Sequence, residues 1–287
     1  MLISTRLVKL GRWQLGGRST TDDPVPCGET TLAHPSNFVW HELMTTDADA
    51  AETFYRNVIG WRTQDAGMPG MRYTILSVGE AGVGGIMTIP PNACAAGARP
   101  RWIGYVGVDD VDATAGRVKQ AGGTLHKPAE DIPGVGRFAV AADPQGASFV
   151  LFRGSSEQPP ERPAPSIPGA PSWNELHAGE WQSAFAFYAD QFGWTKADAV
   201  DMGPMGTYQL FAAGAEPIGG MMTKAESVPR PFWLHYFTVD AIDAAADRVT
   251  GQGGLVLHGP HEVPGGSWIL QCQDPQGAMF ALVGPHR

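Results

Sequence analysis

Cysteine is nearly missing from this chain of 287 residues. Only Cys27, Cys94 and Cys272 occur, odd in number and with no Cys-x-x-Cys pair. That excludes a disulfide framework and a zinc knuckle, and it suits a reducing, cytoplasmic setting. No apolar run approaches the ~20 residues that a membrane span needs. Basic charge is also short, with Lys and Arg at 20 against 29 acids and a net charge of -9. A nucleic-acid partner wants clustered Lys and Arg, so none is expected. The sequence has no G-x-S-x-G elbow, no phosphate loop and no cysteine beside a histidine, which leaves nucleophilic chemistry without its usual machinery.

What the chain does have, it has twice. Trp40-His41-Glu42-Leu43 returns as Trp173-Asn174-Glu175-Leu176, and Phe54-Tyr55 and Gly60-Trp61 return as Phe187-Tyr188 and Gly193-Trp194. Gly84-Gly85 is echoed by Gly219-Gly220, and Asp143-Pro144-Gln145-Gly146 by Asp274-Pro275-Gln276-Gly277. The offset stays between 131 and 135 residues. A fixed-order repeat of that length means two homologous domains in tandem. Between the copies, residues 153–171 hold six prolines, which forbid a helix interior and predict a semi-rigid, extended linker. The expected division is an extension over 1–36, read as disordered, a first domain over 37–153, a linker over 154–171 and a second domain over 172–287. Each domain is long enough to bury its own core.

Each domain divides again. Phe38–Thr45 reads as a strand and Asp47 as the cap of a helix whose buried face is Ala51, Phe54, Tyr55 and Val58. Strands follow at 72–78 and 84–89, and Gly79 to Gly85 reads as a hairpin whose glycine pair leaves floor space. The pattern then restarts with a strand at 102–108, a helix capped by Asp109 or Asp110, and strands at 137–141 and 148–152 joined at Asp143-Pro144-Gln145-Gly146. Asp, Pro and Gly at those places are the chemistry of a type I turn. The second domain repeats this with Asp240 as cap. The fold class is therefore α+β, with four βαβββ modules.

This order of modules, with F-Y then G-W in the odd ones and G-G then D-P-x-G in the even ones, resembles the vicinal oxygen chelate superfamily of glyoxalases, extradiol dioxygenases and bleomycin-binding proteins. The likeness covers residues 38 to 284 and points to its tandem-domain glyoxalase-like members. It implies paired modules that curl mixed sheets into cups, with helices outside and a small-molecule ligand inside. If the chain is an enzyme, it implies a lyase or an oxidoreductase. It implies a monomer or a homodimer.

Alternation along the strands assigns the cup side chains. Trp40, Glu42, Met44, Tyr73 and Tyr105 are expected in the first cup, with Met87. Trp173, Glu175, His177, Tyr208 and Tyr236 are expected in the second, with Met222 and Trp268. The remaining polar groups are few, so Glu42 and Glu175 are the expected catalytic or ligand-orienting carboxylates, and the aromatic residues with Met44 and His177 are the expected ligand contacts. Metal-dependent relatives carry a His or Glu on a module's first strand and a Glu on its last. Here those positions fall on Trp40, Trp173, Ile103 and Leu234, and on Val150 and Ala281. The expectation is thus no cofactor, with a divalent metal as the alternative. In that alternative the ligands would be His41, Glu42, Glu175, His177 and His235. Otherwise His235 reads as a core histidine and His41 as an interface one.

Overall fold

Two eight-stranded mixed sheets account for the fold. The structure is a computed structural model that describes residues 36–286 apart from 69, 96 and 157–161. The expected N-terminal extension, with Cys27, and the middle of the proline-rich segment lie outside the described residues. The first sheet comprises β1 (Phe38–Thr45), β2 (Arg62–Asp65), β3 (Tyr73–Val78), β4 (Ala81–Thr88), β5 (Arg101–Gly107), β6 (Thr124–Ile132), β7 (Gly136–Ala142) and β8 (Ser148–Gly154). Helix α1 (Ala48–Val58), the short α2 (Pro91–Ala95) and α3 (Val111–Gln120) interrupt it. The second sheet comprises β9 (Pro171–Ala178), β10 (Thr195–Asp201), β11 (Thr207–Ala212), β12 (Pro217–Thr223), β13 (Phe232–Thr238), β14 (Leu255–Glu262), β15 (Trp268–Gln273) and β16 (Met279–Gly284), with α4 (Trp181–Phe192) and α5 (Ile242–Gly251). Among the described residues no helix is long and apolar enough to cross a membrane.

Strand order is β2-β3-β4-β1-β5-β8-β7-β6 in the first sheet and β10-β11-β12-β9-β13-β16-β15-β14 in the second. Two βαβββ modules therefore join side by side, through the antiparallel pairs β1–β5 and β9–β13. Asp47 and Asp110 cap α1 and α3 by accepting from Ala50 N and Ala113 N. Asp240 does not cap α5: its N-cap is Ala241, and the Asp240 carboxylate instead takes the Ala241 N–H and Arg248. The proline-rich segment is not a free spacer at its C-terminal end. Trp61 Nε1 donates to Gly169 O at 2.7 Å, Thr238 Oγ1 donates to Pro165 O at 2.6 Å, and Ala170 is fully buried.

The expectation that each domain buries its own core fails. One apolar cluster joins Leu43, Phe54, Tyr55 and Trp61 of the first module to Phe237, Val249, Leu270 and Phe280 of the fourth. The other joins Val106, Val118 and Phe149 of the second module to Leu176, Tyr188, Phe192 and Trp233 of the third. Neither sheet is covered on its helical face without the other, and both lie within one compact unit.

The repeated motifs form this junction. Trp102 Nε1 donates to the Tyr55 hydroxyl at 2.9 Å, which donates to Asp274 Oδ2 at 3.1 Å. In mirror fashion Trp233 Nε1 donates to Tyr188 at 3.0 Å, and Tyr188 to Asp143 Oδ2 at 3.1 Å. The other oxygen of each aspartate holds its own turn, Asp143 Oδ1 taking the N–H of Gln145 and Ala147, and Asp274 Oδ1 those of Gln276 and Ala278. Tyr55→Phe or Tyr188→Phe would strand one buried carboxylate oxygen and one indole N–H. At about 1–3 kcal/mol per stranded group, each variant should lose roughly 2–6 kcal/mol, and by similar amounts. Urea unfolding would measure this, and a loss below about 1 kcal/mol would contradict the assigned relay.

Between the two relays, Asn174 Oδ1 receives His41 Nε2 at 3.0 Å and His235 Nδ1 at 2.8 Å. Gly104 makes room, because a side chain there would run into the rings of Phe38 and His235. Burial pushes His41 down to about 4, with its bond to Asn174 opposing and the charge of Arg162 assisting. The unfolded chain therefore takes up a proton that the fold refuses as pH drops from about 6.5 toward about 4. Stability from this group is complete above that window and is lost within it. The buried Asp143 and Asp274, whose pKa values are raised, pull the other way, so the variant His41→Gln isolates the effect. We expect its unfolding free energy to fall less steeply than that of the parent between pH 6.5 and 4. Parallel slopes would count against a neutral His41.

Candidate functional site

On the face of each sheet away from the helices sits one carboxylate clasped by two tyrosines. Tyr73 and Tyr105 donate to Glu42 Oε2 at 3.0 and 2.9 Å. Tyr208 and Tyr236 donate to Glu175 Oε2 at 2.9 and 3.1 Å. Trp40 Nε1 donates to the Tyr73 oxygen at 2.9 Å, and Trp173 Nε1 to that of Tyr208 at 2.8 Å. Strand pairing builds this. Glu42 lies opposite Gly85 and Ile103, and Glu175 opposite Gly220 and Leu234. The glycines do not leave open floor, as the sequence suggested: a side chain at Gly85 would occupy the space of the Tyr73 ring, and one at Gly220 that of Tyr208. Their hydrogen atoms let each tyrosine lie flat across the sheet and reach its glutamate.

Electrostatics keeps the phenols as donors, since burial first and the facing carboxylate second raise the pKa of Tyr73, Tyr105, Tyr208 and Tyr236. Burial raises Glu42 as well, against the pull of Tyr105, Tyr73 and the Lys127 charge. Both glutamates are under a tenth exposed.

The copies differ at the second carboxylate oxygen. Glu175 Oε1 is met by His177 Nε2 at 2.7 Å and Gln271 Nε2 at 3.3 Å, and the His177 ring stacks on Phe232 with centroids 4.6 Å apart. No described residue hydrogen-bonds to Glu42 Oε1. Among the described residues, the side-chain atoms both buried and unpartnered are Gln191 Oε1, His235 Nε2 and Gln276 Oε1. Glu42 Oε1 is not one of them, so it is not fully sealed, although the residue as a whole is only 6% exposed. Where the second cup has His177 and Gln271, the first has Met44 and Val140, as the pairing of Met44 with Met87, His177 with Met222, Val140 with Val150 and Gln271 with Ala281 shows.

The structure thus brings Trp40, Glu42, Tyr73 and Tyr105 together around one floor, with Met44 on the same face, and Trp173, Glu175, His177, Tyr208 and Tyr236 around the other. Trp268 is not in the second cup; it packs against the shared core and on the His286 ring, 4.1 Å between centroids. Gln271, three residues on, takes that role, and the alternation of Ile269, Gln271 and Gln273 could have found it. The five residues named for a metal do not form one donor set. His41 and His235 are on the helical face, bound to Asn174, because each is next to a cup-facing residue and so points the opposite way. Glu42 is alone in one cup, and Glu175 with His177 in the other.

A divalent metal is the group this scaffold would imply, and the donors do not fit it. Val150 and Ala281 line up beside Tyr105 and Tyr236, so carbon stands where a last-strand carboxylate would be. Ile103 and Leu234 pair with the glutamates themselves. Among the described residues no three His, Cys, Asp or Glu side chains come close enough to hold an ion.

Fold and repeat together define the class. The sequence profile of the Glyoxalase/Bleomycin resistance protein/Dioxygenase superfamily matches residues 32–151 and 175–282, and the chain belongs to that superfamily. It is 33% identical over 248 residues to CFP32 of Mycobacterium tuberculosis, a glyoxylase by name, covering 86% of this chain and 94% of that one. It is 30% identical over 261 residues to the anthracycline biosynthesis protein DnrV of Streptomyces peucetius, covering 87% and 93%. Among solved structures it is similar in fold to a Mn(II)-bound glyoxalase from Novosphingobium aromaticivorans, with a TM-score of 0.62 at 16% identity, covering 88% of this chain and 83% of that one.

If the glycines exist to seat the tyrosines, Gly85→Ala should push Tyr73 off Glu42. Overpacking of that kind costs roughly 1–3 kcal/mol. We expect that loss by urea unfolding, with a changed environment of Trp40 in its fluorescence. A variant as stable as the parent and with the parent's spectrum would show that Tyr73 is not held there.

Proposed function

We propose that this protein binds a small organic molecule against the two aromatic floors, and that Glu42 and Glu175 serve there as hydrogen-bond acceptors or general bases without a metal. The observation that carries this reading is the clasped carboxylate itself. A buried carboxylate is costly unless it is hydrogen-bonded, and here two phenols stabilise one oxygen while, in the first cup, the other remains available. Aromatic walls around a few placed polar groups are the usual make-up of a ligand pocket. A base works best with its pKa drawn toward the working pH, and the direction of the Glu42 shift suits that task. The relative named for anthracycline biosynthesis supports a flat, oxygenated aromatic ligand. We read 37–153 and 172–287 as the two binding domains and, from the few, widely spaced cysteines, place the protein in the cytoplasm.

The second reading is a metal-dependent lyase or dioxygenase, favoured by membership of the superfamily and by the Mn(II)-bound glyoxalase of like fold. The two separate on metal content per chain, measured on tag-free protein, together with melting temperature before and after chelation. We expect substoichiometric metal and no chelator effect. Near-stoichiometric metal with a melting temperature that falls on chelation would overturn the proposal.

A further inference from the structure

Arg101 opens β5 on the same face as Ile103 and Tyr105, directly opposite Met44. It is exposed, and no described residue forms a hydrogen bond or ion pair with it. The one influence on its pKa is the protein packed around it, which lowers it; no carboxylate offsets that effect. The cation whose charge reaches Glu42, Lys127, is already paired with Glu130 at 2.5 Å and lies over the Phe138 ring. In the second cup the residue matching Arg101 is Phe232, which stacks on His177. Among the described residues, then, the first cup and not the second has an unpaired guanidinium at one end and an unpaired carboxylate oxygen at the other. Glu42 and the Met44–Arg101 pair are two residues apart on one face, about 7 Å along the strand at the usual rise per residue, with the Trp40 and Tyr105 rings beside them.

We propose that the first cup is specific for a hydroxyaryl carboxylate, its carboxylate on Arg101 and its hydroxyl donating to Glu42 Oε1, while the second cup takes no anion. A guanidinium presents a planar fork that matches a carboxylate. An O–H is what a bare carboxylate oxygen accepts, and a flat apolar ring suits the Trp40 and Tyr105 rings beside it. The two ends differ in charge, so the ligand has one orientation. A carboxylate turned toward Glu42 would face a like charge. This rests on the reading that the cups bind organic molecules.

The test uses the full chain at low ionic strength and follows quenching of tryptophan fluorescence by three probes. These are 4-hydroxyphenylacetate, its methyl ester, which lacks the anion, and 4-methoxyphenylacetate, which lacks the donor. The expected result is that the hydroxy acid binds at least tenfold more tightly than either of the others. Arg101→Gln should erase the preference for acid over ester, Arg101→Lys should keep part of it, and Glu42→Gln should weaken the hydroxy acid most. Arg62→Gln, an exposed charge paired with Glu80 at the sheet edge, should change nothing. Equal binding of acid and ester by the parent, or a preference that survives Arg101→Gln, overturns the anion site but leaves small-molecule binding standing. Failure of all three probes to bind overturns the specificity proposed here, while the metal and chelation measurement judges the broader reading on its own terms.

Discussion

Asp143 and Asp274 each serve two structures at once, and the arrangement of the whole molecule follows from that. One oxygen closes the turn between the last two strands of an even module; the other reaches into the opposite half and takes the hydroxyl of a helix tyrosine. The tyrosine in turn receives a tryptophan N–H from a first strand. Each relay spans three modules, and the apolar clusters around the two relays contain residues of both halves. Sheet pairing binds the first module to the second and the third to the fourth. Core packing binds the first to the fourth and the second to the third. The four modules thus close a ring in which no pair is independent, which explains why Phe-Tyr, Gly-Trp and Asp-Pro-Gln-Gly recur together.

This closure sets what can differ between the halves. The helical faces are held by reciprocal bonds, so a change on one side must be matched on the other. Symmetry breaks there at two neighbouring positions, His41 with Gly104 against Asn174 with His235, and the break falls where the two copies meet. Asn174 can accept from two rings at once and also donate to Ile218 O. A second histidine in its place would put a third imidazole in a buried space that already leaves His235 Nε2 unpartnered.

Much of this was legible in the sequence, for a physical reason. Strands that are buried on both faces, such as β1, β5, β9 and β13, carry enough apolar residues for their alternation to be read, and the orientation of Trp40, Glu42, Tyr105 and Tyr236 followed from it. The edge strands β2, β6, β10 and β14 did not show. They are largely exposed, and β6, β10 and β14 also change register against their partners, so the period-2 signal is both weak and broken. The shared cores were hidden for a different reason. Whether Phe54 packs under its own sheet or against Phe280 of the other is decided by long-range geometry, which hydrophobic spacing does not record. The role of Gly85 and Gly220 was missed because a glycine says that something comes close without saying what.

The cups, in contrast to the helical faces, are free to diverge. Among the described residues the apolar clusters of the two floors are separate, so substitution on one floor carries no packing penalty on the other. The clasp of Trp, two Tyr and Glu is kept in both, and the neighbours are not. Met44, Arg101 and Val140 surround one glutamate; His177, Phe232 and Gln271 surround the other. The consequence is electrical. In the second cup the spare oxygen of Glu175 is spent on His177 and Gln271, so an incoming group meets an imidazole stacked on a ring. In the first, no described residue hydrogen-bonds to the spare oxygen of Glu42, and Arg101 stands two residues along on the same face, opposite Met44. A scaffold that must stay symmetrical on its inside has in this way produced two chemically distinct faces on its outside.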